Sequence, residues 1–308
     1  MDLFSQIENN EREEILALRK ELVEANHKYY IENAPTLSDY EFDQKLKRLE
    51  QLEKIYPDMY DANSPTQKVG SDLNAQSVSL EDGAKSAYSL EVKGKGKGFE
   101  QVAHKYPMLS LSNSYSREEI ADWISKLPAD VEIVCELKFD GLSISLWYEN
   151  GKLTKALTRG DGVKGDNVVE NIKTIAAIPQ HIGDKATGLL GAVSDRGISR
   201  REARGVPTFV ELRGEVLLPW AAFERLNKER EEQEEALFAN PRNAASGTLK
   251  LQDSQEVARR GLDCYLYYML GENLPANTHY ERLEIAKQWG FNISDAVKVC
   301  HGLDEVME

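Results

Sequence analysis

One lysine, Lys138, has neighbours that could support a covalent reaction. It lies in the hexapeptide Glu-Leu-Lys-Phe-Asp-Gly at 136–141, where a run of alternating apolar residues ends. Because side chains alternate across a strand, the pattern predicts a β-strand over 131–138 with Glu136 and Lys138 on one face. A lysine held at a strand end beside a carboxylate becomes a nucleophile when its amine loses the charge. The alternative for so short a string is an ordinary surface ion pair.

A β-hairpin is predicted directly after this lysine. The chain can turn at Asp140, apolar and polar residues alternate over 142–148, and the Asn-Gly pair at 150–151 is a strong signal for a tight hairpin. The returning strand would bring Arg159 to the end of the sheet that carries Lys138. Arg159 could bind a phosphate or a ribose there, although its Gly-Asp-Gly neighbours are also typical of a simple turn.

Later segments predict further strands and helices around the same sheet. Residues 208–218 alternate as a strand with one charged face, 262–270 predict a tyrosine-bearing strand, and 280–289 predict the last helix. Between them, the segment 238–247 surrounds Arg242 with small residues. Such a segment suits close contact with a sugar-phosphate backbone.

The first 70 residues predict a small helical domain. Apolar residues repeat at steps of three and four over 15–29, and a capping box at 38–41 begins a second helix that ends near Pro57. Four aromatic or acidic residues surround the turn between these helices: Tyr29, Tyr30, Asp39 and Asp43. The rings could stack on a heterocycle while the carboxylates bind a ribose, or the tyrosines could be core residues and Asp39 a helix cap.

Length and composition limit the class of protein. The chain has 308 residues, 41% of them hydrophobic, with a net charge of −14, which fits a globular protein and argues against one that coats nucleic acid by charge alone. Three widely spaced cysteines, never in Cys-x-x-Cys, indicate neither a disulfide framework nor a zinc site. No apolar run approaches a membrane span of about 20 residues, and no signal peptide is evident, so we expect a cytoplasmic protein without membrane partners.

Jointly, these motifs resemble those of bacterial NAD-dependent DNA ligases. The segment 136–141 matches the adenylation motif of that family, while 158–162 and Arg-Gly-Glu-Val at 213–216 match its next two nucleotide-binding motifs. Asn-Pro-Arg-Asn-Ala-Ala at 240–245 matches a segment near bound DNA. The helical pair resembles the N-terminal cap of the family, which binds the nicotinamide mononucleotide (NMN) half of NAD.

The resemblance implies a fold and a domain organisation. We expect an α+β protein with a nucleotidyltransferase fold of mostly antiparallel sheets and flanking helices, preceded by a small helical cap. The cap would span 1–70, a linker with an insert 71–107, and the adenylation domain 108–308. A second insert is expected near 183–205.

The resemblance also implies a role for each site residue. Lys138, with Asp140 beside it, would attack the α-phosphorus of NAD, release NMN and carry AMP for later transfer to the 5′ phosphate of nicked double-stranded DNA. Magnesium would neutralise phosphate charge, and we expect no resident metal site and a monomer. The remaining roles are adenine binding by Glu136, Ser110 and Leu111, ribose binding by Arg159 and Glu215, NMN binding by Tyr29, Tyr30, Asp39 and Asp43, and DNA binding by Arg242.

The chain departs from the family pattern at several points. Tyr30 stands where many relatives have histidine, and Phe42 where many have tyrosine. No Asp-Gly-x-Val-x-Lys motif follows Trp289, and the later domains of the family, including its four-cysteine zinc module, are missing, so we expect the adenylating portion only, without zinc. Two alternatives remain open: a truncated module that binds NAD or NMN without chemistry, and an ATP-using RNA ligase or capping enzyme, against which the cap residues argue.

Overall fold

The computed structural model describes residues 3–28, 36–67, 98–109, 111–183 and 206–308. The predicted inserts at 71–99 and 183–205 lie almost wholly outside these ranges. The chain divides into two compact units. The first contains the N-terminal helices together with the short segments Pro107–Leu111 and Gly160–Val163, and the second contains Phe99–Tyr106, Ser112–Arg159 and Lys164–Glu308.

Two helices, α1 (Leu3–His27) and α2 (Asp39–Ile55), form the core of the first unit. Their apolar stripes pack together through a buried cluster: Ile15, Leu18, Leu22, Leu49 and Leu52. The predicted capping box is present, because the Ser38 hydroxyl accepts from the Glu41 backbone N–H while the Glu41 side chain accepts from the Ser38 N–H. Pro57 follows the end of α2, as the sequence predicted.

The elements of the second unit follow in chain order: β1 (Gln101–Ala103), α3 (Arg117–Ser125), β2 (Ile133–Cys135), β3 (Leu142–Glu149), β4 (Lys152–Thr158), β5 (Lys164–Asp166), α4 (Val169–Ile172), β6 (Phe209–Leu217), α5 (Trp220–Glu232), α6 (Pro241–Leu249), α7 (Ser254–Arg260), β7 (Asp263–Leu270), α8 (His279–Gln288), β8 (Lys298–Cys300) and α9 (Gly302–Met307). The predicted α+β class, a helical N-terminal part followed by antiparallel sheets with helices, is confirmed.

A four-stranded antiparallel sheet of order β4-β3-β6-β7 organises this unit. The predicted hairpin joins β3 to β4, with Asn150 and Gly151 at φ 51° and 76°, the left-handed values that a two-residue turn of this kind requires. One sheet face packs on the main core, to which Leu146, Leu212 and Leu266 contribute. The other face carries the polar side chains of the site, because neighbouring residues of a strand point to opposite faces.

A β-bulge in β7 changes the alternation on its strand. Arg213 pairs with Tyr268 and Gly214 with Leu266, so Tyr267 has no partner in β6. An extra residue of this kind shifts the side chains that follow it to the opposite face. Leu266 and Met269 are therefore buried in the core, while Tyr268 is 42% exposed.

Three sequence predictions differ from the structure. The strand predicted over 131–138 is limited to β2, because its only partner among the described residues, β8, pairs with just Ile133, Val134 and Cys135. The helix over 280–289, predicted to be the last helix, is followed by β8 and α9. The small residues Ala244 and Ala245, expected to contact a sugar-phosphate backbone, are 0% exposed and belong to the core.

None of the helices in the described ranges combines the length and apolar character that crossing a membrane requires.

Candidate active site

Lys138 lies in a loop between β2 and β3, not within a strand as predicted, and its side chain is exposed. The residues on either side of it are fixed. The Phe139 ring stacks on Tyr265 of β7, with ring centroids 4.6 Å apart. On the other side, the backbone N–H of Gly141 donates to Oε1 of Glu215 on β6 at 3.2 Å. The loop therefore holds the backbone of Lys138 while leaving its amine accessible.

Gly141 is required by close packing where the loop meets β6. A Cβ atom at this position would lie 2.2 Å from the backbone oxygen of Val216, far inside van der Waals contact. Only glycine lets the two backbones approach so closely. The tight turn predicted at Asp140 and Gly141 thus has a packing reason.

Glu215 is a largely buried carboxylate at this junction. It accepts from Gly141 N–H and from the Ser143 hydroxyl, whose oxygen lies 3.0 Å from Oε2. Burial raises the pKa of Glu215, and the Ser143 hydrogen bond, the charges of Arg242 and Lys138 and the Gly141 N–H offset this only in part. Lys138 and Glu215 are thus close enough to interact electrostatically.

Arg242 belongs to the same cluster of charges. It is the second residue of α6, whose N-cap Asn240 accepts from the Asn243 N–H. Its Nη1 lies 2.8 Å from Oδ1 of Asp140, and its charge also acts on Glu215. The structure therefore brings together Lys138, Asp140, Glu215 and Arg242.

Glu136 lies on the β2 side of Lys138 and has a different partner. Its Oε1 is 2.6 Å from Nε2 of His279, the first residue of α8. The His279 ring lies against Tyr268, with centroids 5.6 Å apart. Glu136 is therefore held by α8 through His279, which itself lies against Tyr268 of β7.

Arg159 follows β4 and is half-buried. Its backbone carbonyl lies 3.0 Å from Nε2 of His104. Burial, together with the charge of Glu215, raises the pKa of Tyr267. The Ser143 hydrogen bond and the charges of Arg213 and Arg159 offset this rise only in part. These interactions connect the predicted ribose-binding residues, Arg159 and Glu215, through Tyr267.

Arg213 links the sheet to the segment that precedes Pro107. Its Nε donates to Oε1 of Glu211 at 2.7 Å, and its Nη2 donates to the Tyr106 carbonyl at 2.6 Å. Glu211 is 0% exposed, so this ion pair is buried. In the other unit, the Met108 N–H donates to the Gly162 carbonyl, which joins its two short segments.

The structure leaves several predicted residues without a described side chain. Tyr29, Tyr30 and Ser110 lie outside the described residues, as does the side chain of Asp39, whose backbone begins α2. Asp43 is half-buried in α2, and Leu111 is 90% exposed. The NMN-binding and adenine-binding roles of these residues remain predictions.

The donor chemistry of the site suits magnesium without a dedicated metal cage. Among the side chains that the structure describes, no group of three or more His, Cys, Asp or Glu residues could hold a metal ion. Magnesium commonly binds through one or two carboxylates, with phosphate oxygens and water as its other ligands. Asp140, the exposed carboxylate beside Lys138, fits that mode of binding, whereas both oxygens of Glu215 already accept hydrogen bonds.

Comparison with known families agrees with this geometry. Residues 96–308 match the family model described as the NAD-dependent DNA ligase adenylation domain. The chain belongs to the NAD-dependent DNA ligase family. Residues 8–70 match a second family model, the DNA ligase-like N-terminal NAD+-binding domain, which corresponds to the helical pair.

Curated members of this ligase family align over nearly the whole chain. A DNA ligase of Parabacteroides distasonis is 50% identical over 298 residues, which are 96% of this chain. DNA ligases of Phocaeicola vulgatus and Flavobacterium johnsoniae are 49% and 42% identical, each over 97% of this chain. The chain spans 39% of the length of each of these relatives.

Tyr267 and His279 are among the residues of this site that sequence reasoning missed. Tyr267 lies in the predicted strand over 262–270, but the bulge that sets its surroundings leaves no local sequence signal. His279 lies one residue before the predicted helix over 280–289. It follows Thr278, the N-cap residue that forms a capping box with Glu281. That capping box could have identified the start of α8, but not its contact with Glu136.

Proposed function

We propose that this chain is the adenylating part of an NAD-dependent DNA ligase, with Lys138 as the nucleophile. The observation that carries the proposal is an exposed lysine in a fixed loop, beside two carboxylates and Arg242. A surface ion pair would need none of this arrangement. The family model over residues 96–308 supports the same reading.

The proposed reaction is an adenylyl transfer to nitrogen. The Lys138 amine, after losing a proton, attacks the α-phosphorus of NAD, so that an N–P bond forms while the P–O bond to NMN breaks. Arg242 stabilises the negative charge that accumulates on the phosphate oxygens, and Glu215 with Arg159 binds the ribose. Magnesium, when bound at Asp140, would neutralise phosphate charge.

The recipient of AMP is proposed to be the 5′ phosphate of a nick in double-stranded DNA. The 3′ hydroxyl of the nick would then displace AMP and close the strand. Arg242 is the proposed DNA contact. To bind a DNA phosphate, its guanidinium must leave the Asp140 carboxylate with which it is paired. In the cap, Tyr29, Tyr30, Asp39 and Asp43 are proposed to bind the NMN that leaves.

Intact-mass spectrometry tests the lysine directly. After incubation with NAD and magnesium, we expect the chain to gain the mass of one AMP and the Lys138→Ala variant to gain none. Lys126→Ala is the matched control and should still be modified. Lys126 is an exposed lysine at the C-cap of α3, where it pairs with Asp122. A chain that binds NAD yet stays unmodified would support a binding module instead, and labelling by ATP would support the RNA ligase or capping alternative.

A second measurement tests the recipient. The AMP-carrying chain is mixed with a nicked duplex that has a 5′ phosphate, and the loss of AMP mass is followed. We expect loss with this duplex and none with a nicked duplex that lacks the phosphate. Equal loss with both duplexes would contradict transfer to the nick.

A further inference from the structure

A histidine and a glutamate from distant parts of the chain meet beside the lysine loop. Nε2 of His279 lies 2.6 Å from Oε1 of Glu136, although 143 residues separate them. Both side chains are partly accessible, with exposed fractions of 28% and 22%. Glu136 stands two residues before Lys138, so the pair flanks the proposed nucleophile.

The surroundings hold His279 in one orientation. The capping box of α8 fixes its backbone, because the Thr278 hydroxyl accepts from Glu281 N–H and the Glu281 carboxylate accepts from Thr278 N–H. Arg282 donates from Nε to the Ala276 carbonyl at 3.1 Å and so holds the preceding loop. The Tyr268 ring, which the β7 bulge brings to this face, lies against the imidazole.

The hydrogen bond determines what Glu136 can offer a ligand. With Glu136 as a carboxylate, which only accepts hydrogen bonds, Nε2 of His279 is the donor. The bond engages Oε1 and fixes the direction in which Oε2 points. A fixed acceptor is suited to a single donor position on a flat ring.

Fixation matters because a mobile carboxylate would discriminate poorly between purines. Adenine offers a donor at its 6-amino group, whereas hypoxanthine has an acceptor oxygen there and a donor one ring position away, at N1. A glutamate free to swing could reach either donor. A glutamate held at one position faces an oxygen of hypoxanthine and is repelled.

We propose that His279 is a positioning residue that makes Glu136 selective for a 6-amino purine, and so makes the chain prefer NAD over nicotinamide hypoxanthine dinucleotide. This inference rests on the proposed function, in which Glu136 meets the adenine. His279 itself does not touch the reacting atoms. It sets the specificity of the site through the direction of one carboxylate oxygen.

Binding measurements in a Lys138→Ala background test the inference without relying on the chemistry. The Kd values of NAD and of nicotinamide hypoxanthine dinucleotide are measured by isothermal titration. A hydrogen bond to a charged group predicts that NAD binds roughly 10- to 100-fold more tightly. With His279→Ala added, we expect this ratio to fall to within roughly threefold of unity. Glu136 would then be free to turn away from the hypoxanthine oxygen and to accept from N1–H instead.

Two further variants separate positioning from a general structural effect. His279→Gln keeps a donor at this position and should restore part of the preference, while His301→Ala removes a histidine at the N-cap of α9 and should leave the ratio unchanged. Glu136→Gln, which can donate as well as accept, should also lose the preference. The inference is overturned if the ratio in His279→Ala stays within about twofold of the parent while the variant keeps its melting temperature.

The result is independent of the adenylation test. A chain that is never modified at Lys138 but shows the His279-dependent ratio would refute the proposed chemistry and support the inference. A chain that is modified by NAD and by the analogue at equal rates, with or without His279, would support the proposed chemistry and refute the inference.

Discussion

Arg242 Nη1 lies 2.8 Å from Asp140 Oδ1, so a residue predicted to contact DNA is paired with a residue predicted to act in catalysis. The charge of Arg242 also lowers the pKa of Glu215 against the effect of burial. One arginine therefore interacts with both carboxylates beside Lys138. Its position beside these carboxylates supports the role proposed for it in the first chemical step.

Replacing Arg242 by methionine should affect chemistry far more than stability. The Asp140 side chain is 62% exposed, so losing this pair alone should change the free energy of unfolding by no more than about 1 kcal/mol, to which the lost charge beside Glu215 adds. Formation of the AMP adduct should slow by roughly 100-fold, because the phosphate loses a stabilising charge. Urea titration and the time course of intact mass measure the two effects.

Lys173→Met is the matched control for this variant, since Lys173 pairs with Glu170 in a similarly exposed ion pair at the end of α4. It should leave adduct formation unchanged. Equal slowing in both variants would show that Arg242 has no particular role.

Gly141→Ala should destabilise the fold at the lysine loop. The added Cβ would meet the Val216 carbonyl at 2.2 Å, so the loop or β6 must shift. Overpacking of this kind typically reduces the free energy of unfolding by about 1 to 3 kcal/mol. Gly247→Ala, in the last turn of α6 with nothing within 4 Å of its added Cβ, should instead stabilise by about 0.5 to 1 kcal/mol.

Chemical denaturation of both glycine variants provides the measurement. A Gly141→Ala variant as stable as the parent would mean that the close approach to Val216 imposes no packing constraint.

Glu215 should make stability depend on pH in a defined direction. Burial raises its pKa above the ordinary value of 4.5. A carboxyl whose pKa is raised by folding favours the folded state while it is protonated, so its contribution is present below pH 4.5 and is lost as pH rises through the raised value. Relative to Glu215→Gln, the parent should lose about 1.4 kcal/mol for each unit by which folding raises the pKa.

The comparison uses urea titrations of the parent and Glu215→Gln from about pH 4 to pH 8, and only their difference is interpreted. A difference that stays constant, or that changes in favour of the parent as pH rises, would exclude a raised pKa.

Glu53→Gln should loosen the helical pair of the cap. Burial opposes the charge of Glu53, but hydrogen bonds from Thr66, Ser64 and Arg19 together lower its pKa, so its contribution is present above the ordinary value of 4.5 and is lost as pH falls through the lowered pKa. The Arg19 and Glu53 side chains are only 12% and 13% exposed. Losing this charge should destabilise α1 and α2 by about 2 kcal/mol.

Amide hydrogen exchange in α1 and α2 measures this loss as reduced protection. Glu50→Gln removes an exposed carboxylate one turn earlier on α2 and should leave protection unchanged. Equal protection in the parent and Glu53→Gln would show that the buried pair does not stabilise the cap.

Local signals predicted much of the fold. The hairpin follows from Asn150 and Gly151, since this pair tolerates the left-handed backbone that the turn adopts. Ser38 and Glu41 define the start of α2 through hydrogen bonds within four residues. In such cases the interactions that form the element lie within the same short stretch of sequence.

Pairings between distant segments could not be predicted in this way. The extent of β2 depends on β8, more than 160 residues away, so the alternation over 131–138 overestimated the strand. Strand period alone would put Tyr268 in the core, but the bulge beside Gly214 turns it to the site. The Glu136–His279 bond likewise depends on how α8 packs against β7.

The anchoring of the lysine loop has a consequence for turnover. Phe139 is held by Tyr265 and Gly141 by Glu215, while the amine between them extends into solvent. A bulky group attached to that amine would disturb neither anchor. Cycling between a bare and a nucleotide-bearing side chain would therefore need no refolding of the polypeptide around it.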